Sequence, residues 1–300
     1  MTSRLSAIRR MLPDFESALH SFTTGPSKFR IVHTVNPTRV LPKTLYILDS
    51  SFNPPSIAHL ALATSALRQS ARSDGTPHRL LLLFSTHNAD KAPSPASFEQ
   101  RIALMTVFAE DLDKELQSKR EEEERADAES VTIDIGLTKE PYYTDKSSAI
   151  ASTSPNPYPS APTHVHLVGY DTLIRFCNPK YYPDHTPPLA ALSPFFAAGH
   201  KLRVTQRPSV PSDAASAQFG SAGEQARYVQ RLRDGGAEKD GFERAWAERI
   251  EVVVQPDEGL GVSSTRVRGK AAERDWEGVG ELCTVGVAAW MREEGLYGGR

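Results

Sequence analysis

A histidine, His59, stands where an apolar run and an Asn-Pro-Pro turn give way to a helix, in TLYILDSSFNPPSIAHLALATSAL, residues 44–67. The first turn of a helix leaves backbone N–H groups unpaired and carries partial positive charge, so a histidine fixed there suits a polyphosphate. A helix-capping or packed structural histidine is the competing account of the same position. Far along the chain, GVSSTRVRGKAAE, residues 261–273, sets Ser263, Ser264 and Thr265 at a second helix start, with Arg266 and Arg268 just inside it. Hydroxyls there either cap the helix or contact phosphate, and arginine's planar fork grips phosphate oxygens in pairs. Two anion-binding helix starts therefore bracket the chain.

A third candidate is Asp171, which follows a buried strand expected at 164–168, at the carboxyl edge where α/β sheets bind ligands. It suits ribose hydroxyls or a base, or else caps the helix that starts near Thr172. Gly169, two residues earlier, permits close approach of a ligand.

These residues need elements to position them. From Thr44 onward apolar runs alternate with helical patterns: strands are expected at 44–49, 80–84, 131–135, 164–168, 201–205 and 250–254, and helices from about Ala58, at 97–118, 265–273 and 284–294. Runs apolar on both faces and separated by helices indicate buried parallel strands joined by right-handed crossovers. The fold class is α/β, a doubly wound, Rossmann-like parallel sheet. Leu5, Ile8, Leu12, Phe15, Leu19 and Phe22 recur at spacings of three and four, so residues 1–43 are expected as a helical extension, kinked or split at Pro13, ahead of one domain over 44–300. The run KREEEER, residues 119–125, reads as a solvated helix end, and the Pro/Ser-rich stretches 152–162 and 207–223 read as surface loops.

Bulk composition excludes more than it assigns. A net charge of −2 over 300 residues gives no general attraction to nucleic acid or an anionic membrane, so affinity for phosphate must be local. Cys177 and Cys283 are the two cysteines, without metal-ligand spacing; they read as packing residues in a reducing compartment, cytoplasmic or nuclear. No segment approaches the ~20 apolar residues of a membrane span. Composition leaves oligomeric state open, a homo-oligomer included.

The segment SFNPPSIAH resembles the nucleotidyltransferase signature G-x-F-[DN]-P-x-[HT]-x-G-H, and VSSTRVR resembles the distal I-S-S-T-x-x-R element of that superfamily. Between them HNADKAPSPASFEQR, residues 87–101, resembles a lysine-containing loop, and VGYDTLIRFCNPKYY, residues 168–182, resembles a G-A-D element followed by an aromatic pair. The combination, spanning about residues 44–297, resembles the eukaryotic nicotinamide mononucleotide adenylyltransferases, with a divergent fungal-type branch the nearest fit.

The resemblance implies in-line attack of a mononucleotide phosphate on the α-phosphorus of ATP, with His59 and Arg268 as catalytic groups. It implies an ATP site of Ser51, Phe52, Ser56, His59, Gly169, Asp171, Ser264, Thr265, Arg266 and Arg268. The nicotinamide nucleotide would lie against Ser50, Ser51, Lys91, Tyr181 and Tyr182, with Arg101 orienting the lysine loop; a solvated lysine and surface tyrosines are the alternatives. Mg²⁺ would arrive mainly on the phosphates, without a protein metal cage.

The sequence departs from the pattern at Ser50, where relatives have glycine, at Ser56 and Ala58 within the histidine motif, and at Tyr170, which replaces a small residue beside the adenosine pocket. EPYYTDK, residues 140–146, stands where relatives carry a tryptophan helix. Another nucleotidyl transfer, ATP hydrolysis on the same grip, or a non-catalytic nucleotide-binding adaptor are the competing functions.

Overall fold

Apolar strands organise the chain. The computed structural model describes residues 2–73, 76–86, 96–122, 130–209, 219–254 and 259–298. In them β1 (Phe29–Val35), β2 (Thr44–Asp49), β3 (His78–Ser85), β4 (Thr132–Thr138), β5 (Thr163–Gly169), β6 (Lys201–Thr205) and β7 (Ile250–Val253) form one sheet in the order β1-β4-β3-β2-β5-β6-β7. All neighbours run parallel except β1, which pairs antiparallel with β4. The chain winds outward from β2 through β3 to β4, then returns to lay β5 on β2's other side. A crevice opens beyond the strand ends at such a reversal, and ligands bind there. Six strands fall where the apolar runs place them.

Because side chains alternate across a strand, each strand feeds two cores. Leu48, Leu80, Leu82, Ile133 and Leu167 face one layer, made by α1 (Thr2–Thr24), α2 (Ile57–Ser73), α3 (Phe98–Glu122), α8 (Ser264–Ala272), α9 (Trp276–Leu282) and α10 (Val285–Glu293). Leu45, Ile47, Leu81, Leu83, Val168 and Val204 face the other, where α4 (Tyr143–Ser152), α5 (Tyr170–Phe176), α6 (Ser193–Ala197) and α7 (Ala222–Arg233) lie. The architecture is the doubly wound, Rossmann-like α/β fold.

Several local expectations change. The first helix is not split: α1 runs unbroken through Pro13. Proline removes one backbone donor and crowds the preceding turn, yet Leu5, Ile8, Phe15 and Phe22 on both sides of it are buried in one cluster. Arg4 fastens the amino end, donating to Asp111 Oδ1 at 2.6 Å and to the Val107 carbonyl at 2.6 Å and pairing with Glu110. Residues 1–43 also contribute β1 to the sheet, so position 43/44 falls between two strands of one sheet.

The charged run carries α3 on to Glu122, and residues 123–125 lie outside the described residues. The segment 152–162 is irregular but anchored, since Tyr158 is buried and donates to Asp134 Oδ2 at 2.9 Å. In the segment 207–223, residues 210–218 lie outside the described residues, and α7 begins at its end with a capping box between Ser221 and Glu224. Cys177 and Cys283 are both buried and unbridged, and burial pushes each thiol up to about 12. Among the described residues no helix is long and apolar enough to cross a membrane.

Candidate functional site

The chain leaves β2 through Ser50 and Ser51 into a turn that bends twice. Phe52 takes φ 44°, and the Asn53–Pro54 peptide is cis. A non-glycine residue in the left-handed region costs free energy, and here the Phe52 ring offsets it by complete burial, 5.3 Å from His59 and 6.5 Å from Phe108 between ring centres. Of Phe52, expected at the ATP site, the side chain is buried in the core and does not line the cavity.

The turn sets His59. The Ser56 backbone N–H donates to His59 Nδ1 at 3.0 Å, and Ser56 Oγ lies 3.0 Å from the same atom. An Nδ1 that accepts leaves the proton of a neutral imidazole on Nε2, and Nε2 donates to Ser50 Oγ at 2.9 Å. Burial lowers the His59 pKa to about 4. The ring is neutral at pH 7 and presents a phosphate with one N–H rather than a full positive charge.

The distal element closes on the same turn. Ser263 caps α8, accepting from the Arg266 N–H at 3.3 Å, while Ser264 Oγ donates to the Pro54 carbonyl at 2.8 Å. Arg268 Nη1 donates to the Asn53 carbonyl at 2.7 Å, and its Nη2 to Thr265 Oγ1 at 3.2 Å. Tyr297 donates its hydroxyl to Asn53 Oδ1 at 2.7 Å, and Cys283 Sγ donates to the Pro55 carbonyl at 3.3 Å. Segments some two hundred residues apart in sequence thus meet through four bonds on three consecutive residues, Asn53, Pro54 and Pro55.

A cavity of about 330 Å³ opens beside this junction, at the β2/β5 reversal. Asp49, Ser50, Ser56 and His59 line it from the β2 side, Gly169, Asp171 and Thr172 from the end of β5, Gln206 and Arg207 from the end of β6, and Ser263 and Ser264 from α8. The Asp171 carboxylate folds back over Gly169, where a Cβ would meet its Oδ1 at 2.7 Å, so a larger residue there would turn that carboxylate aside.

The remaining expected residues distribute as follows. Ser51, Thr265 and Arg266 are exposed outside the cavity lining, and Arg266 donates to the Gly261 carbonyl. Arg268 is also outside the cavity lining, half-buried and engaged with the turn. Tyr182 is a correction: it is buried, its hydroxyl donates to the Phe176 carbonyl at 2.9 Å, and it packs with Tyr181 in the cluster of Phe176 and Phe195 rather than at the cavity. Tyr170 likewise turns inward, edge-on to Tyr228 at 6.0 Å, and leaves the nucleotide side open. Arg101 is buried with its guanidinium 5.1 Å from the Phe98 ring centre. Lys91 lies outside the described residues.

Four cavity-lining residues were not anticipated, Asp49, Tyr143, Gln206 and Arg207, nor was Lys146, buried behind Asp49. Asp49 ends β2 and pairs with Lys146 of α4. Tyr143, one helical turn before Lys146, lies beneath its ammonium at 5.0 Å and hydrogen-bonds Thr172. Burial, with Asp49 nearby, raises the Tyr143 phenol well above its ordinary range. One signal was available, since Asp49 stands at the carboxyl edge of the central strand, the edge used to select Asp171.

A doubly wound sheet with its cavity at the topological reversal, a histidine helix start and a serine-capped second helix define an α/β protein of Rossmann-like fold. No known family model matches the chain. It is 29% identical over 255 residues, 85% of each chain, to a Schizosaccharomyces pombe protein provisionally assigned as a nicotinamide mononucleotide adenylyltransferase. Among solved structures it is similar to Plasmodium falciparum nicotinic acid mononucleotide adenylyltransferase complexed with NaAD, at 13% identity, TM-score 0.46, and coverage of 85% of this chain and 97% of that one. A provisionally assigned nicotinate-nucleotide adenylyltransferase of Vibrio parahaemolyticus follows at 16% identity, TM-score 0.32, and coverage of 85% and 95%.

Proposed function

We propose that this chain is a nicotinamide-nucleotide adenylyltransferase, forming NAD and pyrophosphate from ATP and nicotinamide mononucleotide. The observation that carries the assignment is the fastening of α8 onto the Asn-Pro-Pro turn beside His59, in a chain similar over 85% of its length to a protein so assigned.

The acceptor phosphate attacks the α-phosphorus in line, and pyrophosphate leaves. The protein's work is to hold the reactants and to stabilise charge spreading over the phosphoryl oxygens. His59 turns its Nε2–H from Ser50 to the triphosphate, which leaves the Ser50 hydroxyl and Ser51 for the acceptor. The free N–H groups at the α8 start, with Thr265 and Arg268, take the β and γ phosphates; Arg268 exchanges the Asn53 carbonyl for a phosphate oxygen. Asp171 accepts from adenosine hydroxyls, and Lys91 meets the acceptor phosphate.

Asp49 is already neutralised by Lys146, and among the described residues no group of three His, Cys, Asp or Glu could hold a metal ion. Mg²⁺ would enter on the phosphates, where it would neutralise part of their charge. Two buried free thiols support a reducing compartment, cytoplasm or nucleus.

The test is dinucleotide and pyrophosphate formation from ATP and nicotinamide mononucleotide, run beside a His59→Ala variant. Phosphate or AMP release without an acceptor would replace transfer with hydrolysis. Failure to bind ATP with Mg²⁺ in calorimetry would leave an adaptor.

A further inference from the structure

The nucleotide site explains the groups facing phosphate, but not the ion pair beneath it. Lys146 is 4% exposed, and its ammonium is on the carboxylate of Asp49. A buried pair of this kind is commonly no more stabilising than apolar residues of the same size, because both charges lose hydration. Stability alone therefore gives a weak reason for it.

Position gives a better one. Asp49 lines the cavity, whereas Lys146 is buried behind it with its ammonium over the Tyr143 ring and is not part of the lining. The pair has no net charge but presents its negative end to the bound molecule. Phosphates are excluded from that end and held at His59 and the α8 start, so the carboxylate faces a nucleoside. Asp171 serves the side nearer β5; Asp49, immediately before Ser50, serves the other.

We infer that Asp49, held by Lys146, is a specificity-determining residue that favours an acceptor whose ring bears a neutral carboxamide over one bearing a carboxylate. A carboxamide supplies N–H donors to the Asp49 oxygens; a ring carboxylate has none at neutral pH and meets like charge. The inference rests on the adenylyl-transfer assignment and deepens it by choosing between the two pyridine mononucleotides.

The experiment compares kcat/KM for nicotinamide mononucleotide and nicotinate mononucleotide, with ATP, in wild type, Asp49→Asn and the double variant Asp49→Asn/Lys146→Met. Wild type is expected to prefer the carboxamide. Asp49→Asn should move the ratio toward the carboxylate by roughly tenfold, the scale of one mismatched buried polar contact, with the KM for ATP unchanged. The double variant should move it in the same direction but less, since no uncompensated ammonium remains, and it keeps the question answerable if Asp49→Asn alone fails to fold. Wild-type preference for the carboxylate, or ratios unaltered in the folded variants, would overturn the inference alone. No dinucleotide from either acceptor in wild type would overturn the parent assignment and this inference with it.

Discussion

His59 donates one proton and accepts at its other nitrogen, and both bonds are local: Ser50 is nine residues away and Ser56 three. Ser50, a departure from the glycine of the resembled signature, thereby has a structural part, since its hydroxyl accepts the imidazole N–H. His59→Ala is expected to leave the circular dichroism spectrum intact and lower turnover by on the order of 10²-fold, the scale of losing one preorganised charge-stabilising donor. Unaltered turnover would remove His59 from the mechanism. Ser56, His59, Gly169, Asp171 and Ser264 were legible because strand ends and helix starts are visible in sequence and their chemistry is set within a few residues. Lys146 was not, because its meaning lies in Asp49, 97 residues away. Tyr182 was misplaced for a related reason: an aromatic beside a helix end is equally suited to a ligand or to a core, and only packing decides which way it turns.

Elements show the same division between local and distant causes. The parallel strands were readable because burial on both faces makes them continuously apolar. β1 was not, since His33 and Thr34 interrupt its pattern and its strand form depends on β4 beside it. α1 was readable from its spacing, although Pro13 argues for a break that tertiary burial overrides. Replacing that proline restores a backbone donor to the helix while enlarging the unfolded ensemble, and the first effect is larger. Pro13→Ala is accordingly expected to stabilise the protein by roughly 1 to 3 kcal/mol in urea unfolding, and a loss of stability would mean that the proline bend is required by the packing. At the site, Ser263→Ala removes the α8 cap, at a cost of about 1 kcal/mol, and should raise the KM for ATP more than it lowers kcat.

Across the whole molecule, buried histidines set the response to acid. His164 and His200 stack at 4.1 Å, and the His164 backbone N–H donates to His200 Nδ1 at 3.1 Å. Burial lowers His164 to about 3, and His59 and His200 to about 4, from an ordinary value of 6.5. A lowered folded-state pKa means that the unfolded chain takes up protons first, so the stabilisation is complete above about pH 6.5 and is lost as pH falls toward 4. Asp134, whose carboxyl burial pushes up, opposes this trend at the acidic end. The thermal midpoint should fall between pH 6.5 and 4, and His200→Gln, which keeps an acceptor for the His164 N–H, should flatten that fall. An identical slope in the variant would assign the acid sensitivity elsewhere.

Tyr297 is the last feature with a reach beyond its own position. It grips Asn53 from just past Gly295, an exposed residue at φ 63°. Removing that one hydroxyl would leave the hydrophobic core and the sheet in place. It would nevertheless take away one of the four bonds that fasten the turn before His59 to the distal segments. Tyr297→Phe should therefore melt as cooperatively as the wild type, yet bind ATP with Mg²⁺ more weakly in calorimetry.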